Sequence, residues 1–329
     1  MHAAAFSPRG GVARRAANLR GQSIIEYVLI IAIIGLVIVF AGPGVAGAIR
    51  NQFSLVGNTV NSGTTGGTEG GGASGGGSTG SDSATVQAAV AKDAKDWTLE
   101  EQEAVAKDIA KNGTSSIAYA KAKAAMDAEL KWSVKLTNGK TMTYRIIGIN
   151  HDDLADGSGK AGLTFLTTST GIKSRMKPFA NSMGGWEKSE LRQKMNSGEI
   201  WNLMPTDFKS KVKPVTKLTN NVEGTSKDAA VTATSDKLFL LSNSEIVETP
   251  SSSFSDYPWI GNEGTQYEAF KGKVINDSGN SCLCFSQDWR ERSPYPGNSM
   301  YFLGVNSAGS PSCSSYAPES LCVCPAWCF

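Results

Sequence analysis

Residues 132–146 read WSVKLTNGKTMTYRI, and this stretch decides the fold class. Trp132, Val134 and Leu136 alternate with polar residues. Asn138-Gly139 is a strong hairpin-turn signal, and Met142, Tyr144 and Ile146 resume the alternation. Side chains of a strand point to opposite faces in turn, so a period of two on both arms predicts an antiparallel hairpin with one buried face. Further along, residues 161–168 and 237–242 read as strands, and residues 189–196 and 208–212 as short helices. Short strands, a few helices, long loops and scattered Trp predict an α+β domain. Six of the seven Trp lie from residue 132 onward. About 200 residues can bury a core without outside help.

Toward the N-terminus the composition changes twice. Residues 85–130 are rich in Ala, Lys, Glu and Asp. Thr98-Leu99-Glu100-Glu101 has the form of a capping box, Asn112-Gly113 should end that helix, and a second helix reads over 117–130. Their mixed charges suit a solvated face, which makes this part a helical spacer or a small helical part packed on the next domain. Residues 63–84 are almost wholly Gly, Ser and Thr. With no apolar face to bury they predict a flexible tether of roughly 25 Å r.m.s. span. The expected organisation is therefore a basic leader (1–21), an apolar helix region (22–62), a linker (63–84), a helical spacer (85–130) and a globular domain (131–329).

Residues 24–41 would be an unbroken apolar run but for Glu26. At 1.5 Å per residue the run is ~27 Å long, enough to cross a ~30 Å hydrocarbon core with little tilt. A carboxylate at the centre of such a helix costs roughly 2.5–3.5 kcal/mol, so it persists mostly where it has a role. Arg9, Arg14, Arg15 and Arg20 precede the run with no acidic residue among residues 1–21, which would hold this end in the cytoplasm. The processing site, Gly21-Gln22, lies before the apolar stretch, whereas an ordinary signal peptide is cut after it. Gly21, four residues, then Glu26-Tyr27 opening an apolar helix resembles the type IV pilin signal of the short Flp (Tad) class. The resemblance implies cleavage between Gly21 and Gln22 by a prepilin peptidase, membrane insertion through 24–41, and assembly with other pilin subunits. Glu26 would then register subunits by pairing with a neighbour's new α-ammonium. The alternative is a single-pass membrane-anchored receptor with Glu26 near the interface.

All six Cys, namely Cys282, Cys284, Cys313, Cys322, Cys324 and Cys328, fall in the last 48 residues. An even number at one end of an exported chain favours disulfides over zinc, since the CxC spacing of 282–284 and 322–324 is not the usual metal-binding pair. The net charge of +2, with no basic cluster interleaved with aromatics, speaks against nucleic acid as partner. Catalysis finds no footing. His151 would be the only histidine after leader removal, no nucleophile motif surrounds a candidate Ser, and the Asp152, Asp153 and Asp156 run is not an EF-hand loop. No cofactor or metal is expected.

HDDLADGSGKAGLTF (151–165), GWEKSELRQKMNSGEIWNLMP (185–205), WRERSPYPGN (289–298), FLGVNSAGSPS (302–312) and VCPAWCF (323–329) resemble an uncharacterised bacterial surface-domain family, DUF6273. Its ending is similar to C-type-lectin-like domains of the formylglycine-generating-enzyme kind. That resemblance implies a lectin-like fold, and it keeps a cysteine enzyme as a lesser alternative. It also resembles targets of diversity-generating retroelements, whose C-terminal residues are varied to alter ligand choice. Tyr295, Asn298, Tyr301, Asn306, Ser312, Ser314, Ser315 and Tyr316 lie between the framework motifs and mix aromatic area with small hydrogen-bonding groups, the chemistry of adaptable binding surfaces. The expectation is a bacterial cell-surface, pilin-like adhesin whose C-terminal domain binds an extracellular glycan or protein. The family commonly has a second aromatic after the motif Trp, where this chain has Arg290.

Overall fold

The computed structural model describes residues 79–329, an α+β structure. Gly21, Gln22, Glu26 and Tyr27, the apolar run 24–41 and most of the tether lie outside the described residues. Among those described, no helix is long and apolar enough to cross a membrane. Three helices come first: α1 (Thr79–Ala91), α2 (Leu99–Asn112) and α3 (Tyr119–Asp127). Helix α1 begins inside the stretch expected to be linker, where Ser-Asp-Ser gives way to Ala-rich sequence. Thr98 and Glu101 form the reciprocal capping box of α2, and Gly113 ends that helix at φ +56°.

The helical segment is packed on the domain rather than standing as a free spacer. Val105, Ile109, Ala122 and Met126 join one core with Trp132, Tyr144, Phe165 and Trp327. Trp97 stacks on Trp132 with centroids 6.2 Å apart, and the Trp132 indole donates to Ala94 O at 2.8 Å. Tyr144 Oη donates to Gln102 Oε1 at 3.1 Å. The mixed charges that suggested a solvated segment cover only its outer face. Helix α2 crosses so close to the sheet that a Cβ on Gly162 would sit 1.8 Å from Ala106 O. Gly162→Ala should therefore force the helix off the sheet and cost at least about 1–3 kcal/mol; an unchanged thermal midpoint would show that the contact yields freely.

The expected hairpin forms as β1 (Lys131–Lys135) and β2 (Thr141–Ile149), with Gly139 at φ +84°. β3 (Leu163–Ser169) adds to β2, and the last strand, β11 (Ala326–Cys328), returns to pair antiparallel with β3. A second sheet has the order β4 (Lys173–Ser174), β10 (Leu321–Cys322), β7 (Trp289–Pro294), β8 (Tyr301–Val305), β9 (Cys313–Tyr316). β5 (Val215–Asn220) and β6 (Val231–Asp236) pair by themselves. The expected strand over 237–242 is instead a buried extended segment, touching β11 by one bridge at Phe239. Its run of Leu238, Phe239, Leu240 and Leu241 is buried on all sides, which reads like a strand in sequence but needs no ladder. Four short helices complete the fold: α4 (Glu190–Asn196, capped by Ser189), α5 (Glu199–Leu203), α6 (Thr206–Lys211) and α7 (Asn243–Ile246).

Candidate functional site

β7 carries the motif Trp289 to Pro294 and is buried along its whole length. That burial forces its polar side chains to find partners inside the protein. Arg292 forks onto Glu245, with Nη1 to Oε2 2.5 Å and Nη2 to Oε1 2.9 Å, and also donates to Leu240 O and Glu263 O. Lys217 sits between Glu245 (2.5 Å) and Asp152 (2.6 Å), and Tyr267 Oη donates to Asp152 at 2.9 Å. Neighbouring cations hold the Glu245 and Asp152 carboxyls low against the desolvation that opposes them. Two nearby carboxyls form no salt bridge, and Arg292 lowers them less than burial raises them. Burial raises Glu263 to about 7 and Glu291 to about 8. Ser293 Oγ bonds Glu263, and Asn243 Nδ2 bonds Glu291 at 3.3 Å. This network anchors the chain just before it turns outward at Tyr295.

Beyond that anchor, three tyrosines line up. Tyr295 and Tyr301 have centroids 6.5 Å apart, and Tyr301 and Tyr316 are cross-strand partners at 5.4 Å. Exposed apolar side chains stand on Met300 beside Tyr301 and on two other segments bonded to this one: Phe179 (71% exposed), Met183 (64%) and Val222. Backbone bonds lace these segments together. Ser182 N donates to Ser299 O, Gly184 N to Val222 O, Gly297 N to Gly224 O and Ala317 N to Met300 O. Gly224 passes so close to the Tyr295 carbonyl that a Cβ there would lie 2.2 Å from its oxygen. Five of the eight large hydrophobic residues exposed among the described residues thus belong to this one laced region: Phe179, Met183, Val222, Met300 and Tyr316. Soluble surfaces rarely gather apolar groups this way without a partner to cover them.

The structure brings Tyr295, Tyr301, Ser314 and Tyr316 to or near this face, with Ser314 exposed on β9. The other expected binding residues work internally. Asn298 Oδ1 accepts from Met300 N, and Asn306 Oδ1 accepts from Ala308 N and Ser310 N, so both close their own turns. Ser312 is bonded to Asn243 and Asn276, and Ser315 is buried, accepting from Arg290 Nη1 at 2.7 Å. Arg290 also donates to the Tyr316 and Glu319 carbonyls. The residue that departs from the family's aromatic therefore holds the strand that presents Tyr316. Sequence reasoning missed Phe179, Met183, Val222 and Met300. The only local signal is apolar residues standing in loop-coded stretches such as PFANSMGG (178–185).

The expected disulfides are not formed: all six cysteines are free thiols. Cys328 is enclosed in the core against Thr164 and Asp152, Cys282 is buried, and Cys284 and Cys313 donate to carbonyls of Asn280 and Ser310. Cys322 is partly exposed at the end of β10, and Cys324 is buried. No group of three metal-ligating side chains occurs among the described residues. The Asp run at 152–156 is spent otherwise: Asp152 in the buried network, Asp153 on Lys160, Asp156 on its own turn. His151 stacks on Tyr267 at 4.0 Å, meets Glu268 through Nδ1 at 3.3 Å and has Thr265 Oγ1 3.5 Å from its Nε2. A shallow cleft of about 420 Å³ beside Leu154, Lys213 and Ser235 gathers no convergent catalytic groups.

Residues 161–329, more than half of the chain, match the family described as Domain of unknown function (DUF6273). No curated protein and no solved structure matches.

Proposed function

The chain belongs to the DUF6273 family, and on that premise we propose that it is a bacterial surface protein whose C-terminal domain binds an extracellular ligand through the tyrosine-lined apolar face. One observation carries the reading: exposed Phe179, Met183, Val222, Met300 and Tyr316 arise from segments bonded to one another beside Tyr295 and Tyr301. A protein ligand fits this face better than a glycan. The hydrogen-bonding side chains of Asn298, Asn306 and Ser315 are already committed inside the domain. What is offered outward is aromatic and thioether surface, the material of protein hot spots.

The N-terminal segment would supply display. Cleavage after Gly21 and packing of 24–41 into a Tad-type pilus would place many copies on one fibre, and weak contacts become avid when linkers span neighbouring targets. The lectin-like fold is supported by the return of β11 to β3, which brings the C-terminal strand onto the edge of the first sheet and leaves long loops between. Retroelement-driven variation is part of the proposal and has a sharp form here. Across cells of one lineage, codons for Tyr301, Ser314 and Tyr316 should vary while Ser315 and Asn306 stay constant; variation at the internal positions as well would count against it.

The face itself is tested by adherence of cells displaying the full chain. Met183→Asp and Tyr301→Ala should each weaken attachment at least about tenfold, whereas Ile117→Asp, an exposed position on the helical part, should leave it unchanged. Equal adherence in all three would remove the face. The N-terminal mass of the mature chain separates pilin from anchored receptor, since only the first begins at Gln22.

A further inference from the structure

Lys217 is the one lysine among the described residues whose ion pairs are buried on both sides. Its side chain and those of Asp152 and Glu245 are each no more than 3% exposed. The next most enclosed lysine pair, Lys211 with Glu103, is open at 17% and 16%. The three residues come from separate parts of the fold: Asp152 follows β2, Lys217 lies on β5 and Glu245 on α7. Lys217 Nζ is 2.6 Å from Asp152 Oδ1 and 2.5 Å from Glu245 Oε1, with the Phe239 ring centroid 4.4 Å away. The nitrogen therefore meets an oxygen one bond from the Asp152 carboxyl carbon, away from water. An arginine here could only form an ion pair, whereas a lysine amine is also a nucleophile.

The two carboxyls beside Nζ are held differently. Glu245 is gripped as an anion by the Arg292 fork and the Ser242 N–H. A carboxylate so held is a poor electrophile and a suitable proton acceptor. Asp152 instead receives hydroxyls: Thr164 Oγ1 donates to Oδ2 at 2.6 Å, and Tyr267 Oη to the same oxygen at 2.9 Å. Those donors sit where negative charge grows when a nucleophile adds to the carboxyl carbon. Burial alone would lower the Lys217 ammonium, but Asp152 and Glu245 outweigh it, so the pair rests as ions. The neutral amine and acid lie one proton transfer away, along the 2.6 Å hydrogen bond.

We infer that Lys217 and Asp152 are the reactants of an intramolecular isopeptide bond, with Glu245 as the proton carrier. A Lys217 proton passes to Asp152, and Nζ adds its lone pair to the Asp152 carboxyl carbon. Thr164 and Tyr267 stabilise the oxygen that takes up the charge. Glu245 then takes a proton from the nitrogen and gives it to the carboxyl hydroxyl, which leaves as water. One ammonium and one carboxylate become one amide and one water, with no oxidant or reductant, and Glu245 ends as it began. The bond joins residues 65 apart in the chain and ties the segment after β2 to β5. Such a link constrains the unfolded chain as a disulfide would.

The test is a tryptic peptide map of the full chain, purified in detergent and denatured before digestion. A linked Lys217 resists cleavage, so residues 146–160 and 212–227 should appear as one branched peptide, about 18 Da lighter than the two together. Fragmentation should place the link between Asp152 and Lys217. Asp152→Ala should give separate peptides with ordinary cleavage after Lys217. Glu245→Gln should lower the branched fraction at least about tenfold. Complete cleavage after Lys217 in the native chain would overturn the proposal, and so would a link from Lys217 to Glu245. An undiminished branched fraction in Glu245→Gln would overturn the proton carrier. Should the variants not fold, the map of the native chain decides by itself.

Discussion

Arg292→Ala should cost the fold about 3–5 kcal/mol, the largest loss we expect from any single substitution in the domain. The guanidinium is wholly buried and bonds Glu245 through two nitrogens while also donating to the Leu240, Leu218 and Glu263 carbonyls. Its removal leaves the buried Glu245 carboxylate with Lys217 and the Ser242 N–H, and Lys217 is already shared with Asp152. It also strips a donor from the buried Leu240 and Glu263 carbonyls, each of which then carries a desolvation penalty. Arg292→Lys should recover little, because an ammonium cannot reproduce the planar fork. Urea unfolding of the variants measures this; a loss below about 1 kcal/mol would mean that the network is dispensable to the fold.

Stability should be greatest in mildly acidic solution and decline as the pH rises from about 5 to about 8. Two sets of carboxyls set this. Glu245 and Asp152 have folded-state pKa values lowered by Arg292 and Lys217. Their contribution is complete above the unfolded carboxylate range and is lost as the pH falls below it. Glu263 and Glu291 are shifted the other way by burial, to about 7 and about 8. Folding binds their protons, so their contribution is full below about 4.5 and is lost progressively up to those values. The combined decline is on the order of a few kcal/mol. Glu291→Gln keeps the shape of the protonated carboxyl and cannot ionise, so it should flatten the upper part of the curve while leaving acid unfolding unchanged. The measurement is the chemical-denaturation midpoint of both proteins from pH 4 to 9. Parallel curves would show that Glu291 is ionised throughout.

The Glu291 prediction reaches the proposed binding region through one short path. Asn243 bonds both Glu291 and Ser312, at 3.3 and 3.0 Å. Ser312 holds a positive φ of 68° on the approach to β9, the strand that carries Ser314 and Tyr316. A loss of order there at high pH would follow from the same titration.

What could be read locally was read correctly. The alternation at 132–146, the turn at Asn138-Gly139, the capping box at Thr98 and the short helix read over 189–196 all depend on neighbours within a few residues, and each forms where expected. Leu238 to Leu241 misled because an apolar run shows burial, and a strand also needs a free partner edge. The cysteine reading failed for a related reason. Spacing and number suggest pairing, but a bond requires sulfurs to meet, and the fold encloses Cys328 while turning Cys284 and Cys313 onto loop carbonyls.

The sequence by itself determined the α+β class, the hairpin, the helix ends and the family, and it singled out Tyr295, Tyr301 and Tyr316 as candidates, because periodicity and short motifs are written in consecutive residues. Only the tertiary structure decided that residues 79–127 share the core, that Asn306 and Ser315 serve the fold, and that Phe179, Met183, Val222 and Met300 stand beside those tyrosines. It also decided which carboxyls are paired with cations and which are raised by burial. Those outcomes rest on contacts between segments far apart in the chain, where burial and charge are set by what the fold brings near.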